Sequence, residues 1–377
     1  MTKKKKSKNF SRFLNNPIDF TLIIVILLLL GFGLTMVLSA SSPSALAEYA
    51  DSYAFFKKQL IFAVLGLIFM AIFSKLDYRF FNKFYKVVYW ISLVLLVLVK
   101  VAGRTVNGAQ RWLGTEAFSF QPSELVKFLI IIFYAGWLVK DRDELPFFWK
   151  GLVKHFVPVA IIVVLLLLEP HLSASIVIAG IVCIMMLVAG MKFKHLFMAG
   201  ISGGIPILFF LIAKEPYRLK RFVTFLNPWQ DMTGDGWQVV QSLYAIGSGG
   251  LFGAGLGNSK QKYLYIPEPH NDFIFSILAE ELGFFGCAIV LILFGIFIWR
   301  GILIAIKAPD MFGSLIAVGI TAQVAIQVIL NVAVVTSSIP ATGVPLPFFS
   351  YGGTALFFLL CEMGVLLNIS RAGATNK

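Results

Sequence analysis

The stretch Tyr265-Ile-Pro-Glu-Pro-His-Asn-Asp-Phe-Ile-Phe-Ser-Ile-Leu-Ala-Glu-Glu-Leu-Gly283 sets two prolines and an acidic, His-bearing loop at the mouth of a long apolar run. It places Asp272 where a membrane helix meets water. A carboxylate costs several kcal/mol at the bilayer centre but little at its rim. An ionised Asp272 there has the chemistry of a general base for a lipid-borne substrate. Aspartate directly before an apolar run is also a good helix N-cap, and the residues alone leave both readings open.

Three other groupings carry chemistry. Pro122 suits a helix first turn, and Glu124 and Lys127, at i and i+3, share one face about a turn below the outer surface. They read as a phosphate-binding lysine held by a carboxylate or as a structural ion pair. Gln323, Gln327 and Asn331 repeat every four residues as a polar stripe roughly 12 Å long. Such a stripe lines a cavity or glues two helices together. Glu280 and Glu281 lie about two turns below Asp272, with Glu362 at similar depth, and buried acids of this kind are usually paired. The run Gly247 to Gly257 contains a Gly-x-Gly spacing, but no strand precedes it, which excludes a dinucleotide loop. Its glycines suit tight backbone packing near the membrane surface. Ser338 to Gly353 is a stiff Pro/Gly loop able to wall a cavity.

The elements that must hold these residues are membrane helices. Of 377 residues 58% are hydrophobic, and uncharged apolar runs recur at spanning length without the alternation of a barrel strand. The fold class is an all-α polytopic membrane protein. Ten transmembrane helices are expected near 20–39, 58–73, 87–102, 122–139, 155–168, 173–190, 196–213, 273–299, 312–336 and 351–369. Residues 1–19 and 372–377 are cytoplasmic tails around a single membrane domain over 20–371, and 214–272 is a long extracellular loop carrying short interfacial helices. This arrangement puts 20 of the 32 lysines and arginines inside, as the positive-inside rule requires, so both termini are cytoplasmic. That distribution, rather than nucleic acid, accounts for the net charge of +13. The outer cations concentrate in 103–127 and 214–262, which suits an anionic ligand or lipid headgroups. Cys183, Cys287 and Cys361 fall in apolar segments as small hydrophobes, with no disulfide or zinc spacing.

Pro267-Glu-Pro-His-Asn-Asp-Phe-Ile-Phe-Ser-Ile-Leu-Ala-Glu-Glu-Leu-Gly283 and Gly343-Val-Pro-Leu-Pro-Phe-Phe-Ser-Tyr-Gly-Gly353 resemble signatures of the SEDS family, which includes FtsW, RodA and SpoVE. Gly108-Ala-Gln-Arg-Trp-Leu113, Gln121-Pro-Ser-Glu-Leu-Val-Lys127 and Pro216-Tyr-Arg-Leu-Lys-Arg221 extend the resemblance over nearly the whole chain. It implies a peptidoglycan glycosyltransferase in the bacterial cytoplasmic membrane that polymerises lipid II at the outer face, with a class B penicillin-binding protein and the divisome or related cell-wall machinery as partners. Asp272 matches the family's catalytic aspartate, and Trp112, Glu124 and Lys127 match its cavity residues. The expected reaction is a single inverting displacement. Asp272 takes the proton of the acceptor's 4-hydroxyl, and undecaprenyl pyrophosphate leaves. Arg111, Lys127, Arg218, Arg221 or a divalent cation, Mg2+ or Mn2+, would balance its charge. Gln327, Asn331 and Ser350 complete the substrate-binding candidates.

The Tyr-Arg-Leu-Lys-Arg run followed by Asn227-Pro-Trp229 is more similar to the FtsW and SpoVE branch than to RodA, implying division or sporulation rather than elongation. The chain departs from the family pattern at Glu169-Pro-His-Leu-Ser-Ala174, where His171 replaces an aspartate, at Thr336-Ser-Ser-Ile-Pro340, where relatives carry Thr-Gly-Leu, and at Thr354-Ala355. A RodA-like elongation polymerase, a lipid flippase and a non-catalytic scaffold are the alternatives. The outer clustering of the signatures sets the polymerase apart from a flippase, whose site would sit at the midplane.

Overall fold

The computed structural model describes residues 18–106, 109–115, 119–204, 216–231, 234, 236–263 and 265–373. The helices are α1 (Phe20–Tyr49), α2 (Ala54–Phe73), α3 (Tyr85–Ala102), α4 (Pro122–Lys140), α5 (Lys154–Leu168, entered through a π turn over Phe148–Val153), α6 (Leu172–Ala189), α7 (Phe193–Ala199), α8 (Pro216–Leu226), α9 (Trp237–Gly249), α10 (Ile274–Lys307), α11 (Met311–Val335) and α12 (Gly353–Gly373). Among the described residues nine helices are long and apolar enough to cross a membrane. They coincide with nine of the ten expected spans. The remaining one, 196–213, begins in α7, and its second half lies outside the described residues, as do the tails 1–17 and 374–377.

Packing follows the distribution of apolar surface. From Val126 to Gly136 every residue of α4 is buried, which makes it the central helix, whereas α2 and α3 turn most of their residues outward. α12 lies along α2, α11 between α10 and α6, and α4 against α3. α1 and α10 outrun their expected spans most, running on to Tyr49 and Lys307 instead of residues 39 and 299. α1 continues past Ser39 to Tyr49 with Pro43 inside it, and its 30 residues extend about 45 Å, beyond a hydrocarbon core of ~30 Å.

The all-α expectation needs one amendment. The polar connection between α3 and α4 forms a small antiparallel sheet of β1 (Arg104–Val106), β2 (Ala109–Gly114) and β3 (Ser119–Phe120), with Arg104 opposite Trp112. Strands this short carry no readable alternation. Phe120 sets its ring edge-on to Phe358 and so rests the sheet on α12.

At the inner ends one aspartate gathers three elements. Asp19 accepts from Leu22 N at 3.0 Å as the cap of α1, accepts from Arg300 Nε at 2.9 Å, and donates its own N–H to Ser370 Oγ at 3.3 Å.

α10 is two helices in line. Gly283 takes φ 65° and ψ −163°, a conformation essentially reserved for glycine, and interrupts the helical ladder. The freed groups are taken up by the glycine-rich segment after α9. Ala254 N donates to Glu280 O at 2.9 Å and Gly255 N to Glu281 O at 3.0 Å, closing the first piece; Phe284 N donates to Gly250 O at 2.9 Å and Phe285 N to Leu251 O at 3.2 Å, opening the second. Of the glycines of 247–257, Gly249 and Gly253 do pack backbone on backbone, since a Cβ on either, or on Gly283, would overlap main-chain atoms; Gly247, Gly250 and Gly257 have open space there. Both acids of this turn are paired. Glu280 accepts from Ser259 Oγ at 2.5 Å and Lys260 N at 2.9 Å, while Glu281 takes Lys262 Nζ at 3.0 Å and Ser39 Oγ of α1 at 2.6 Å.

Gly253→Ala and Gly283→Ala are each expected to cost more than the ~1–3 kcal/mol of a forced backbone conformation, because the methyl also meets main chain. Gly257 has φ +84° but open space around a Cβ, so Gly257→Ala should cost only the conformational part. Thermal midpoints of the three variants in detergent check the order.

Candidate active site

The loop that carries Asp272 is held by its carbonyls. His270 O accepts from Tyr351 N at 2.8 Å, Asn271 O from Ser350 Oγ at 2.7 Å, and Asp272 O from Asn331 Nδ2 at 2.8 Å. Three consecutive peptide units are therefore fixed by donors from α11 and the Pro/Gly loop before α12. The same donors tie that loop to itself, since Ser350 Oγ accepts from Leu346 N at 2.7 Å and Asn331 Nδ2 also reaches Val344 O at 2.8 Å. Gln59 of α2 adds a bidentate contact, donating to Ser350 O at 3.3 Å and accepting from Gly352 N at 3.1 Å. The His270 ring is wedged between Phe55 and Tyr351, with centroids 4.6 Å and 5.5 Å away.

The Asp272 side chain takes no part in this scaffolding. The cap position of α10 is Phe273, and no side chain caps the helix, so the N-cap reading of Asp272 does not hold. One carboxylate oxygen lies 3.0 Å from where a Cβ on Gly343 would stand, which places the acid against the Pro/Gly loop where only glycine leaves it room. Burial pushes the Asp272 carboxyl up to about 6, and Glu268 adds to the rise, while the charges of Arg221 and Arg111 pull it back.

Val344 and Pro345 also line a narrow cleft together with Glu124, Lys127, His171, Ser173, Ala174, Val177 and Gln327. Lys127 Nζ sits 2.7 Å from Glu124 Oε2, and both side chains are buried. The stripe on α11 thus has three separate roles. Asn331 holds the Asp272 loop, Gln327 lines the cleft, and Gln323 donates to Glu362 at 2.9 Å inside the bundle. Ser350 Oγ and the Asn331 Nδ2 group, both expected among the substrate-binding groups, bond the Asp272 loop, while Asn331 Oδ1 is buried without a partner among the described residues.

The outer cations approach from two directions. Arg111, on β2, donates through Nε to Glu169 O at 3.4 Å and through Nη2 to Pro170 O, which pins the turn between α5 and α6. Burial, with Arg111 and Lys127 close by, drives the His171 imidazole down to about 3, so this residue is neutral where a carboxylate would carry charge. Arg221, on α8, donates to Ala341 O at 3.1 Å. Trp112 is half-buried on β2 beside Arg111. Arg218 lies on α8, and its side chain is outside the described residues. The sequence gives no role to Gln59, Tyr351 and Gly343 as supports of the aspartate; the Pro/Gly loop is a signal for Tyr351 and Gly343, and nothing points to Gln59, a lone amide in an apolar helix.

Comparison with known proteins now bears on this arrangement. A family model described as cell cycle protein, covering FtsW, RodA and SpoVE, matches residues 20–375. The chain belongs to the FtsW/RodA/SpoVE family. It is 45% identical to stage V sporulation protein E of Bacillus subtilis, over 94% of this chain and 97% of that one. It is 40% identical to a probable peptidoglycan glycosyltransferase FtsW of Trichlorobacter lovleyi, over 93% of each. Among solved structures, a chain of a peptidoglycan synthase complex that coordinates polymerization and crosslinking matches with a TM-score of 0.80 at 28% identity, covering 94% of this chain and 98% of its own. RodA of Thermus thermophilus matches with a TM-score of 0.69, also at 28% identity, covering 94% and 97%.

In this member of the FtsW/RodA/SpoVE family, no group of three His, Cys, Asp or Glu side chains able to hold a metal occurs among the described residues.

The buried pair in the cleft has a measurable signature. Glu124→Ala leaves Lys127 buried without its carboxylate and is expected to destabilise the protein by about 3–5 kcal/mol, whereas replacing both partners with apolar residues of similar volume should recover most of that loss. Thermal or denaturant unfolding in detergent of the single and double variants measures it.

Proposed function

We propose that this chain is a peptidoglycan glycosyltransferase of the bacterial cytoplasmic membrane that polymerises lipid II at the outer face, serving division or sporulation alongside a class B penicillin-binding protein. The observation that carries the reading is an aspartate fixed by its backbone, left out of helix capping, and set in the field of two arginines. The 45% identity to a sporulation protein and 40% to an FtsW, against 28% to RodA, supports the branch.

In the reaction, the 4-hydroxyl oxygen of the acceptor's N-acetylglucosamine attacks the anomeric carbon of the chain's terminal N-acetylmuramic acid. Its proton passes to an Asp272 carboxylate oxygen, and the bond from the anomeric carbon to the pyrophosphate oxygen breaks with its electron pair. Undecaprenyl pyrophosphate departs with inversion. Arg221 and Arg111 provide positive field at Asp272, and Lys127 lines the cleft that Val344 and Pro345 share. A divalent cation would arrive with the pyrophosphate itself. The backbone clamp holds the base in place before substrate binds, which spares the transition state that ordering.

The direct test is glycan-ladder formation from lipid II by purified protein, with and without the penicillin-binding protein. Asp272→Asn should lower turnover by at least ~10²-fold, in the range of a lost general base. Ladders of equal length and rate from this variant would overturn the reading. Because the active form is the carboxylate, kcat/KM should rise with pH through about 6 and level off above it. Arg221→Gln removes a charge that holds the carboxyl down, so the inflection should move to higher pH; Glu268→Gln removes one that pushes it up and should move the inflection lower.

A further inference from the structure

The mechanism above leaves unused a cavity of about 230 Å³ beside the Asp272 loop, walled by α8, the start of α9 and the loop that follows α11. Its lining includes Arg221, Thr224, Phe225, Trp237, Gln238 and Ser337, with Pro267 at one edge, five residues before Asp272. Pockets for drug-sized ligands run to ~300–1,000 Å³, so this one takes a single ring rather than a disaccharide carrying its peptide. Its walls are of two kinds. Phe225 and Trp237 present aromatic surface, and Tyr265 stacks at 6.5 Å on Trp237 and fixes its plane. Thr224, Gln238 and Ser337 supply hydroxyl and amide groups that both donate and accept. Aromatic faces for C–H surface and amides or hydroxyls for a polar edge are what an amphipathic sugar ring requires. A lipid tail would use only the first set, and a phosphate only Arg221.

The backbone gives an independent sign. Ser337 sits at φ +53°, in the left-handed region where a non-glycine residue is strained, yet it places a hydroxymethyl group at the cavity wall instead of the unstrained glycine. Strained residues of this type gather at ligand sites. We propose that the cavity is a subsite for one N-acetylhexosamine ring of the glycan, and that Ser337 helps select it.

This rests on the polymerase reading and names a subsite within it. Arg221 connects the subsite to the base, because it lines the cavity, donates to Ala341 O at 3.1 Å, and its charge acts on Asp272. The acetamido group meets Gln238, whose Nε2 is 3.4 Å from Pro267 O, at the edge nearest the Asp272 loop.

The test measures binding apart from turnover. Asp272→Asn protein in detergent is titrated with N,N′-diacetylchitobiose, and with maltose, by saturation-transfer NMR. Chitobiose binding is expected, with maltose at least fivefold weaker. Trp237→Ala and Ser337→Gly, each in the Asp272→Asn background, should weaken chitobiose at least fivefold. Ser337→Gly relieves the left-handed strain, so its thermal midpoint should equal or exceed that of its parent, and lost binding there cannot be a folding defect. No chitobiose binding, equal binding of maltose, or binding unchanged in both variants overturns the subsite. Ladder formation by the wild type, scored separately, reports on the polymerase reading alone.

Discussion

A helix interrupted at the rim of a membrane must have every freed backbone group taken up, because lipid offers none in return and each orphan costs several kcal/mol. The break at Gly283 obeys that constraint through four main-chain hydrogen bonds to residues 250–255, two closing the upper piece and two opening the lower. The approach needs glycine at 249, 253 and 283, where a Cβ would overlap the facing main chain. Because the upper piece of α10 begins two residues after Asp272, its direction is set by this junction, and so is the position of the acid. Glu280, Glu281, Lys262 and Ser39 then fasten the junction to α1.

Above the junction, the backbone and the side chain of the Asp272 loop are treated differently. The carbonyls of His270, Asn271 and Asp272 each accept a hydrogen bond, while the Asp272 carboxylate takes no part in the bracing. The donors come from α11 and from the loop before α12, so the acid is braced by the parts of the bundle that also wall the cleft. Burial raises the acid's proton affinity, and arginines from β2 and α8 limit the rise.

Much of this could be read from the chain because a spanning helix is a coarse signal: about twenty apolar residues suffice, and nine expected spans coincide with described helices. The finer features depend on partners far away in sequence. Pro43 and the serines around it argue for a helix end, but α1 runs on, with Ser39 and Ser41 facing inward. The three strands between α3 and α4 have two to six residues each, too few to show a period. Gly283 is one glycine in an apolar run, and only Gly249 to Gly255, some thirty residues earlier, give it meaning. Glutamines and an asparagine at a spacing of four were correctly placed on one face, yet spacing is silent about what each meets, and the three meet a glutamate, a cleft and two carbonyls. The setting of Asp272 between prolines and an apolar run is legible in the sequence, but that its side chain leaves α10 uncapped is not.

The contact at the inner face has a topological meaning. Asp19 N–H reaches Ser370 Oγ at 3.3 Å across 351 residues of chain, while the same residue's carboxylate accepts from Arg300 Nε at 2.9 Å. The entry of α1, the lower half of α10 and the end of α12 are thus tied at one point, a knot that can be completed only after α12 is in place.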